Sequence, residues 1–357
     1  MTCSGMKKHC RWWFFAGLWG LSLVQYPLLA SQNISSPEPA GEGNFEAYLS
    51  GLRERALNGD PAAARELAVH YDVEGNAAET SKWMSEYVSL AEKRANNGDV
   101  DSMLDLGKLF YTGSRLHPKN LERARYWFTR AADSGNAAAQ YQVAVMASQG
   151  AGGPKDEATA ALYYKKSLQT WKKEADDGDA KAALWAALVY ERKLVPDSSP
   201  EKSVPYLLQA AESGNLTAQG LLAFKYRDGL GVPQDAAKAV EWFEKAASRK
   251  DLGAVMELGI MFRDGKYLPP DREKAFHWFE KGAEWKDPYS MAALADMLLE
   301  GTPSAEQAAR ALALYREAAA IGYFPAALKA AELLQNGKGG ELDADEACRL
   351  LRRVADA

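Results

Sequence analysis

Apolar side chains between Gly214 and Lys250 return with the period of a helix, stop, and return again. Ala218, Leu222 and Tyr226 stand four residues apart with Ala223 beside them, which sets them along one helical face. Gly229 and Gly231 interrupt the pattern, and Pro233 and Asp235 restart it: proline fixes φ near the helical value, and a short acidic side chain caps free amides. Ala239, Trp242, Phe243, Ala246 and Ala247 follow at i, i+3, i+4, i+7 and i+8, a stripe wide enough to pack on the first helix and on a neighbour. Two antiparallel helices are predicted.

The unit recurs through most of the chain. A Gly-Asn or Gly-Asp pair opens each copy at Gly59-Asp60, Gly98-Asp99, Gly135-Asn136, Gly178-Asp179 and Gly214-Asn215, and Lys250-Asp251, Lys286-Asp287 and Gly322-Tyr323 hold the equivalent place. The spacings are 39, 37, 43, 36, 36, 36 and 36 residues. A fixed period of this length with helix-turn-helix content predicts an all-α solenoid, in which each unit buries its apolar faces only by stacking on its neighbours.

The second helix of the unit reads RARYWFTRAA (123–132), KAVEWFEKAA (238–247), KAFHWFEKGA (274–283) and ALALYREAAA (311–320). With Leu-Gly/Ala-x-x-Tyr in the first helix and a Gly-x-Gly-Val-x-x-Asp loop, the pattern resembles the Sel1-like repeat, a relative of the TPR, from about Gly59 to the C-terminus. The resemblance implies a right-handed α-solenoid of about seven to eight repeats. The segment from Gly214 to Lys250 matches every motif position. The first copy lacks the Gly-x-Gly loop, and the fourth has Val204, Pro205, Tyr206 and Leu207 around the Trp-Phe slots. The third is long: its second helix is predicted over 158–177, with Tyr163 and Tyr164 in the Trp-Phe slots, Trp171 in the added turns, and a change of curvature near 165–178.

The first thirty residues stand apart. Lys7, Lys8 and Arg11 precede an apolar run from Trp12 to Val24, then Leu28-Leu29-Ala30, the layout of a secretory signal cleaved after Ala30. The run of thirteen residues is short for a span of about 20, so an uncleaved anchor is the alternative. Cys10 precedes the run, which argues against a lipid-anchoring cysteine, and Met6 is an alternative start to Met1. Either way the repeats lie across a membrane from the basic end, with the periplasm as the expected location, secreted or inner-membrane anchored forms as alternatives, and membrane contact only through this segment if it is uncleaved. Residues 31–44, rich in proline and glycine, read as a flexible tether. Residues 45–357 read as one solenoid, opened by a helix carrying Phe45, Leu49, Leu52 and Ala56 and closed by a helix from about Asp343 with Arg349, Arg352 and Arg353 on its solvated face.

Charge and chemistry narrow the function. The net charge of −5 becomes about −8 without the leader's three basic groups, a poor match to phosphate backbones that disfavours nucleic acid as partner. Cys3 and Cys10 fall in the leader, so Cys348 alone remains and no internal disulfide forms. This separates the chain from cysteine-rich secreted members of the resembled family, and lactam chemistry proposed for those members does not carry over. His70, His117 and His277 sit in different repeats without metal-ligand spacing, so neither a metal nor a cofactor is expected. Gly150 to Gly153 and Gly229 to Gly231 lie between helices without a phosphate-loop context, and Ser199-x-x-Lys202 has no partner motif. Asn33 and Asn215 open glycosylation sequons.

What remains is a surface. One column of first-helix positions reads Glu66, Asp105, Gln142, Trp185, Leu221, Glu257, Ala293 and Lys329, and a second reads Asp72, Tyr111, Ala147 or Ser148, Glu191, Arg227, Arg263, Leu299 and Gln335. In TPR-like solenoids such columns line the concave groove, whereas Leu109, Met146, Val189, Met261, Met297 and Leu333 read as core. Trp185 stands out, either as a binding anchor with Tyr111, Arg227, Arg263 and Glu257 around it or as a filler of the volume left by the missing helix-B tryptophan. Trp285 reads as rim or inter-repeat packing, and Trp127, Trp242 and Trp278 as core. The expected function is non-enzymatic: an interaction scaffold or regulator of the bacterial cell envelope that holds a partner protein or peptide in its groove. A secreted effector that engages host proteins and a cell-wall or β-lactam hydrolase are the alternatives.

Overall fold

The turn between copies shows why the chain folds as it does. Gly59, Gly98, Gly135, Gly178, Gly214 and Gly322 all adopt φ between 84° and 99°, a left-handed conformation that ends one helix and aims the next back along it. The Asp or Asn after the turn residue caps the new helix in most copies, though Asp99 does not: Asn215 Oδ1 accepts from the Ala218 amide at 3.0 Å, and Asp251, after Lys250, accepts through Oδ1 from the Ala254 amide at 2.8 Å. Asn215, the sequon residue, is thus committed to a cap.

The computed structural model describes residues 42–113, 117–339 and 342–355. Among these are seventeen helices and no strand. The chain divides into two compact units, one running to Glu174 with Leu194–Pro196 and the other comprising Ala175–Lys193 with the chain from Asp197 onward. The expected leader, the tether up to residue 41 and Asn33 lie outside the described residues.

The first unit holds α1 (Glu42–Leu57), α2 (Pro61–Val73), α3 (Ala77–Asn96), α4 (Val100–Thr112), α5 (Leu121–Asp133), α6 (Ala137–Gln149) and most of α7 (Glu157–Asp176). From α1 to α6 each helix packs on the next in sequence. Helix α1 starts at Glu42, three residues inside the stretch expected to be tether, and buries Leu49, Leu52 and Ala56. Helices α3 and α7 both run 20 residues. The long α7 is the predicted one. The long α3 was not predicted: its copy has only a short Gly75-Asn76 turn, and the helix absorbs the extra residues. In α7 the added turns place Trp171 against Tyr141, ring centroids 5.6 Å apart.

The second unit stacks α8 (Ala180–Glu191), α9 (Pro200–Glu212), α10 (Leu216–Asp228), α11 (Ala236–Ala247), α12 (Leu252–Asp264), α13 (Arg272–Glu284), α14 (Pro288–Leu298), α15 (Ala305–Ala320), α16 (Phe324–Asn336) and α17 (Ala344–Ala355), each on its successor, with α12 also touching α14. Even-numbered helices from α2 are the first helices of the copies, and odd-numbered ones from α3 the second. Helix α17 exposes Arg349, Arg352, Arg353 and Cys348.

The Leu-Gly pair of the first helix has a steric cause. A Cβ on Gly107 would lie 2.5 Å from the Phe128 ring, and one on Gly259 2.4 Å from the Phe279 ring, so the second helix's phenylalanine rests on bare backbone. The Trp-Phe pairs are core as expected: Trp127, Trp242 and Trp278 are buried, and Phe128, Phe243 and Phe279 almost completely so. In the fourth copy Leu207 takes the phenylalanine's place, fully buried, while Tyr206 is half-buried. The glycine of the connecting loop closest to the preceding copy is equally constrained, since a Cβ on Gly152 would lie 2.1 Å from the Leu121 carbonyl oxygen and one on Gly231 2.5 Å from the Pro200 carbonyl carbon. Met146, Val189, Met261, Met297 and Leu333 are buried as expected, and Leu109 is half-buried.

Candidate functional site

First-helix faces of neighbouring copies adjoin, and this juxtaposition decides the state of the candidate residues. Arg227 near the end of α10 donates from Nη1 to Glu257 Oε2 on α12 at 2.7 Å, and both side chains are only 9% exposed. The same guanidinium bonds Asp228, Nε to Oδ1 at 2.9 Å and Nη2 to Oδ2 at 2.7 Å. It lies over the rings of Phe224 at 4.7 Å and Tyr267 at 5.3 Å. Tyr267, in the loop after α12, donates its hydroxyl to Asp228 Oδ1 at 2.9 Å and accepts from Lys266 Nζ at 2.7 Å.

These contacts fix the electrostatics. Burial pushes the Glu257 carboxyl above its ordinary range, and the opposing pull of Arg227 does not cancel it. Burial acts the same way on Asp228, but bonds from Arg227 and Tyr267 outweigh it and hold that carboxyl below its ordinary value. Burial works against the Arg227 charge, yet its bond to Asp228 and the field of Glu257 raise its pKa. Arg227 and Glu257, expected as groove anchors, are therefore buried and bonded to each other, because an arginine and a glutamate thirty residues apart meet at the repeat junction.

The other candidates are placed differently. Arg263 is half-buried, bonds Asp264 Oδ1 from Nε at 2.7 Å and lies 5.6 Å over the Phe279 ring. Trp185, on α8, is half-buried, between the anchor and the filler readings. Tyr111 belongs to the first unit, half-buried with its ring 6.5 Å from Phe128 and Lys119 Nζ 5.4 Å above it. Trp285 is half-buried with Lys281 Nζ at 5.6 Å. Leu221 and Phe224 on α10 and Met256 and Ile260 on α12 are half-buried apolar side chains, and Phe224 lies under the Arg227 guanidinium.

The sequence reading missed two participants. Lys225 is buried, and its amine meets Glu191 Oε1 at 2.7 Å and the Pro200 and Leu230 carbonyls at 3.3 and 3.2 Å, joining α8, α9 and α10. A lysine set between Phe224 and Tyr226 in an apolar helix was the available signal. Tyr267 carried none, since its role depends on a loop reaching back 39 residues. The Ser199 to Lys202 stretch does not assemble a nucleophile: Lys202 Nζ bonds the Asp197 carbonyl at 3.0 Å, while Ser199 serves Glu201. His70 packs between Phe45 and Tyr71 with Nε2 3.2 Å from Glu74, His117 against Phe110, and His277 against Trp278, well apart along the chain. Among the described residues no group of three or more His, Cys, Asp or Glu is arranged to hold a metal ion.

The Sel1 repeat pattern matches residues 100–136, 137–169, 217–251, 253–284, 288–323 and 325–357. The chain belongs to the Sel1 repeat family. The match omits the first and fourth copies, whose motifs are weakest, yet both fold as helix pairs. A crystal structure of a Sel1 repeat protein from Oxalobacter formigenes is 25% identical with a TM-score of 0.62, covering 92% of this chain and 95% of that one. A protective antigen of uropathogenic Escherichia coli displaying an SLR fold is 28% identical with a TM-score of 0.54, over 86% of this chain. This chain spans only 64% of that antigen. No curated protein matches the chain. Sel1 repeats are generally non-catalytic scaffolds for protein–protein interaction.

Proposed function

We propose that this Sel1 repeat protein is an exported, non-enzymatic scaffold or regulator of the bacterial cell envelope, which holds an extended peptide or helix of a partner protein against the first-helix face of its second unit. The observation that carries this reading is that Leu221, Phe224, Met256 and Ile260 stay half-exposed on α10 and α12, while the charged residues Arg227, Glu257 and Lys225 of the same helices are already paired within the chain. A partner gains apolar area there without breaking those pairs. Trp185 and Arg263, each half-buried on first helices of the same unit, are the proposed anchors. Export is supported by the basic and apolar leader pattern.

Two measurements test the proposal. Fractionation of cells expressing the full chain is expected to place it in the periplasm, and recovery from the cytoplasm refutes export. Trp185→Ala is half-buried rather than core, so it is expected to cost under about 2 kcal/mol of stability against the roughly 3–5 of a core aromatic. It is expected to weaken capture of the envelope partner at least tenfold; capture equal to wild type refutes the anchor role.

A further inference from the structure

We propose that Glu257 takes up a proton within the folded array and that this uptake tightens the junction between the fifth and sixth copies, because one buried guanidinium there serves two carboxylates. Arg227 bonds both Glu257 and Asp228, and the rings of Phe224 and Tyr267 cover it, so the charge on the buried Glu257 is poorly screened by water. The surrounding groups do not neutralise it. Arg263, on the helix that carries Glu257, is engaged with Asp264. Tyr289 of α14 is a half-buried phenol whose own ionisation burial suppresses. Lys266 is exposed, bonds the Tyr267 hydroxyl, and its charge acts on Asp228, the carboxylate that is already held low, and not on Glu257.

Of the two carboxylates, Asp228 is the worse proton acceptor. It receives two bonds from Arg227 and one from Tyr267, and its side chain is 29% exposed. Glu257 receives one bond from Arg227 and is 9% exposed. The directions of their shifts agree, with burial raising Glu257 and donors lowering Asp228. When Glu257 is neutral, Arg227 and Asp228 form a balanced pair and the like-charge repulsion inside the junction disappears. A carboxyl whose folded pKa is raised binds its proton more tightly in the folded state. Its contribution is therefore fully present below the ordinary glutamate value and is lost as pH rises through the folded pKa. Asp228 acts in the opposite sense, at lower pH.

The experiment uses the full chain and two isosteric variants between pH 5 and pH 7. Carboxyl NMR of wild type is expected to show Glu257 titrating above the ordinary glutamate value. Glu257→Gln, which imitates the protonated state, is expected to raise the unfolding midpoint at pH 7 by about 2–4 °C, and wild type is expected to close that gap as pH falls. Amide exchange in α10 and α12 slows in parallel. Asp228→Asn leaves one carboxylate per guanidinium and is expected to return Glu257 to its ordinary range or below. The inference is overturned if wild-type Glu257 titrates at or below the ordinary value, if Glu257→Gln lowers the midpoint at pH 7, or if Asp228→Asn leaves the Glu257 titration unchanged.

Discussion

Replacing Lys250 by glycine is expected to stabilise the chain, although no contact is added. Lys250 occupies the turn position that glycine fills in six other copies, and its φ of 63° lies in the left-handed region where a side chain is crowded by its own backbone. That conformation costs an L-residue about 1–2 kcal/mol. Glycine removes the cost but loses more freedom on folding, which returns about 0.5–1 kcal/mol. The net expectation is a gain of roughly 0.5–1 kcal/mol. The Lys250 side chain is exposed, and the turn bond from its amide to the Ala247 carbonyl at 3.0 Å survives the change. Lys286 shares the φ of 63° but its amine pairs with Glu317, so Lys286→Gly is expected to gain less. The reverse change, Gly214→Lys, is expected to lose at least as much as Lys250→Gly gains, since Gly214 sits at φ 84° and a Cβ there would lie 3.3 Å from Arg249 Nη1. Urea unfolding of the full chain, with amide exchange across 247–254 to localise the effect, reads the difference. A Lys250→Gly chain less stable than wild type by more than about 0.5 kcal/mol refutes the reasoning, since it would mean that the turn's strain is not carried by the Cβ.

Two further predictions rest on the interior. Gly259→Ala is expected to destabilise by about 1–3 kcal/mol because its Cβ would meet the Phe279 ring at 2.4 Å, while Gly220→Ala, on a helix with nothing within 4 Å of the new Cβ, is expected to be neutral or stabilising; thermal unfolding that ranks the two the other way contradicts the packing account. Burial raises the Tyr87 phenol to about 12, so its contribution is complete below the ordinary value of 10 and is lost as pH rises from there through about 12. Tyr87→Phe is expected to abolish that part of the alkaline destabilisation, which ultraviolet absorbance and circular dichroism followed over the same pH range would read.

Charged and neutral positions of the first-helix face were readable as two columns but not as pairs. The sequence named Arg227 and Glu257 separately and assigned both outward. The structure sets them face to face, because a position late in one first helix meets a position midway along the next, thirty residues on. Lys225 fell between two aromatic residues and was passed over, yet its amine joins three helices. The start of α1 at Glu42 and the length of α3 were also missed, since neither a helix's first turn nor its continuation past a weak turn leaves a periodic mark.

The sequence by itself determined the helix pairs, their order, the turn glycines, the Trp-Phe core and membership of the Sel1 repeat family. Those features are local: a stripe at i, i+3 and i+4 and a left-handed turn residue act within one copy, and repetition makes them conspicuous. Only the tertiary structure decided which charges are spent inside the array, which apolar side chains stay half-exposed on the same helices, and why Gly107 and Gly259 are bare. Those outcomes depend on distances between side chains a full copy apart, and on whether water reaches them, neither of which is set by spacing along the chain.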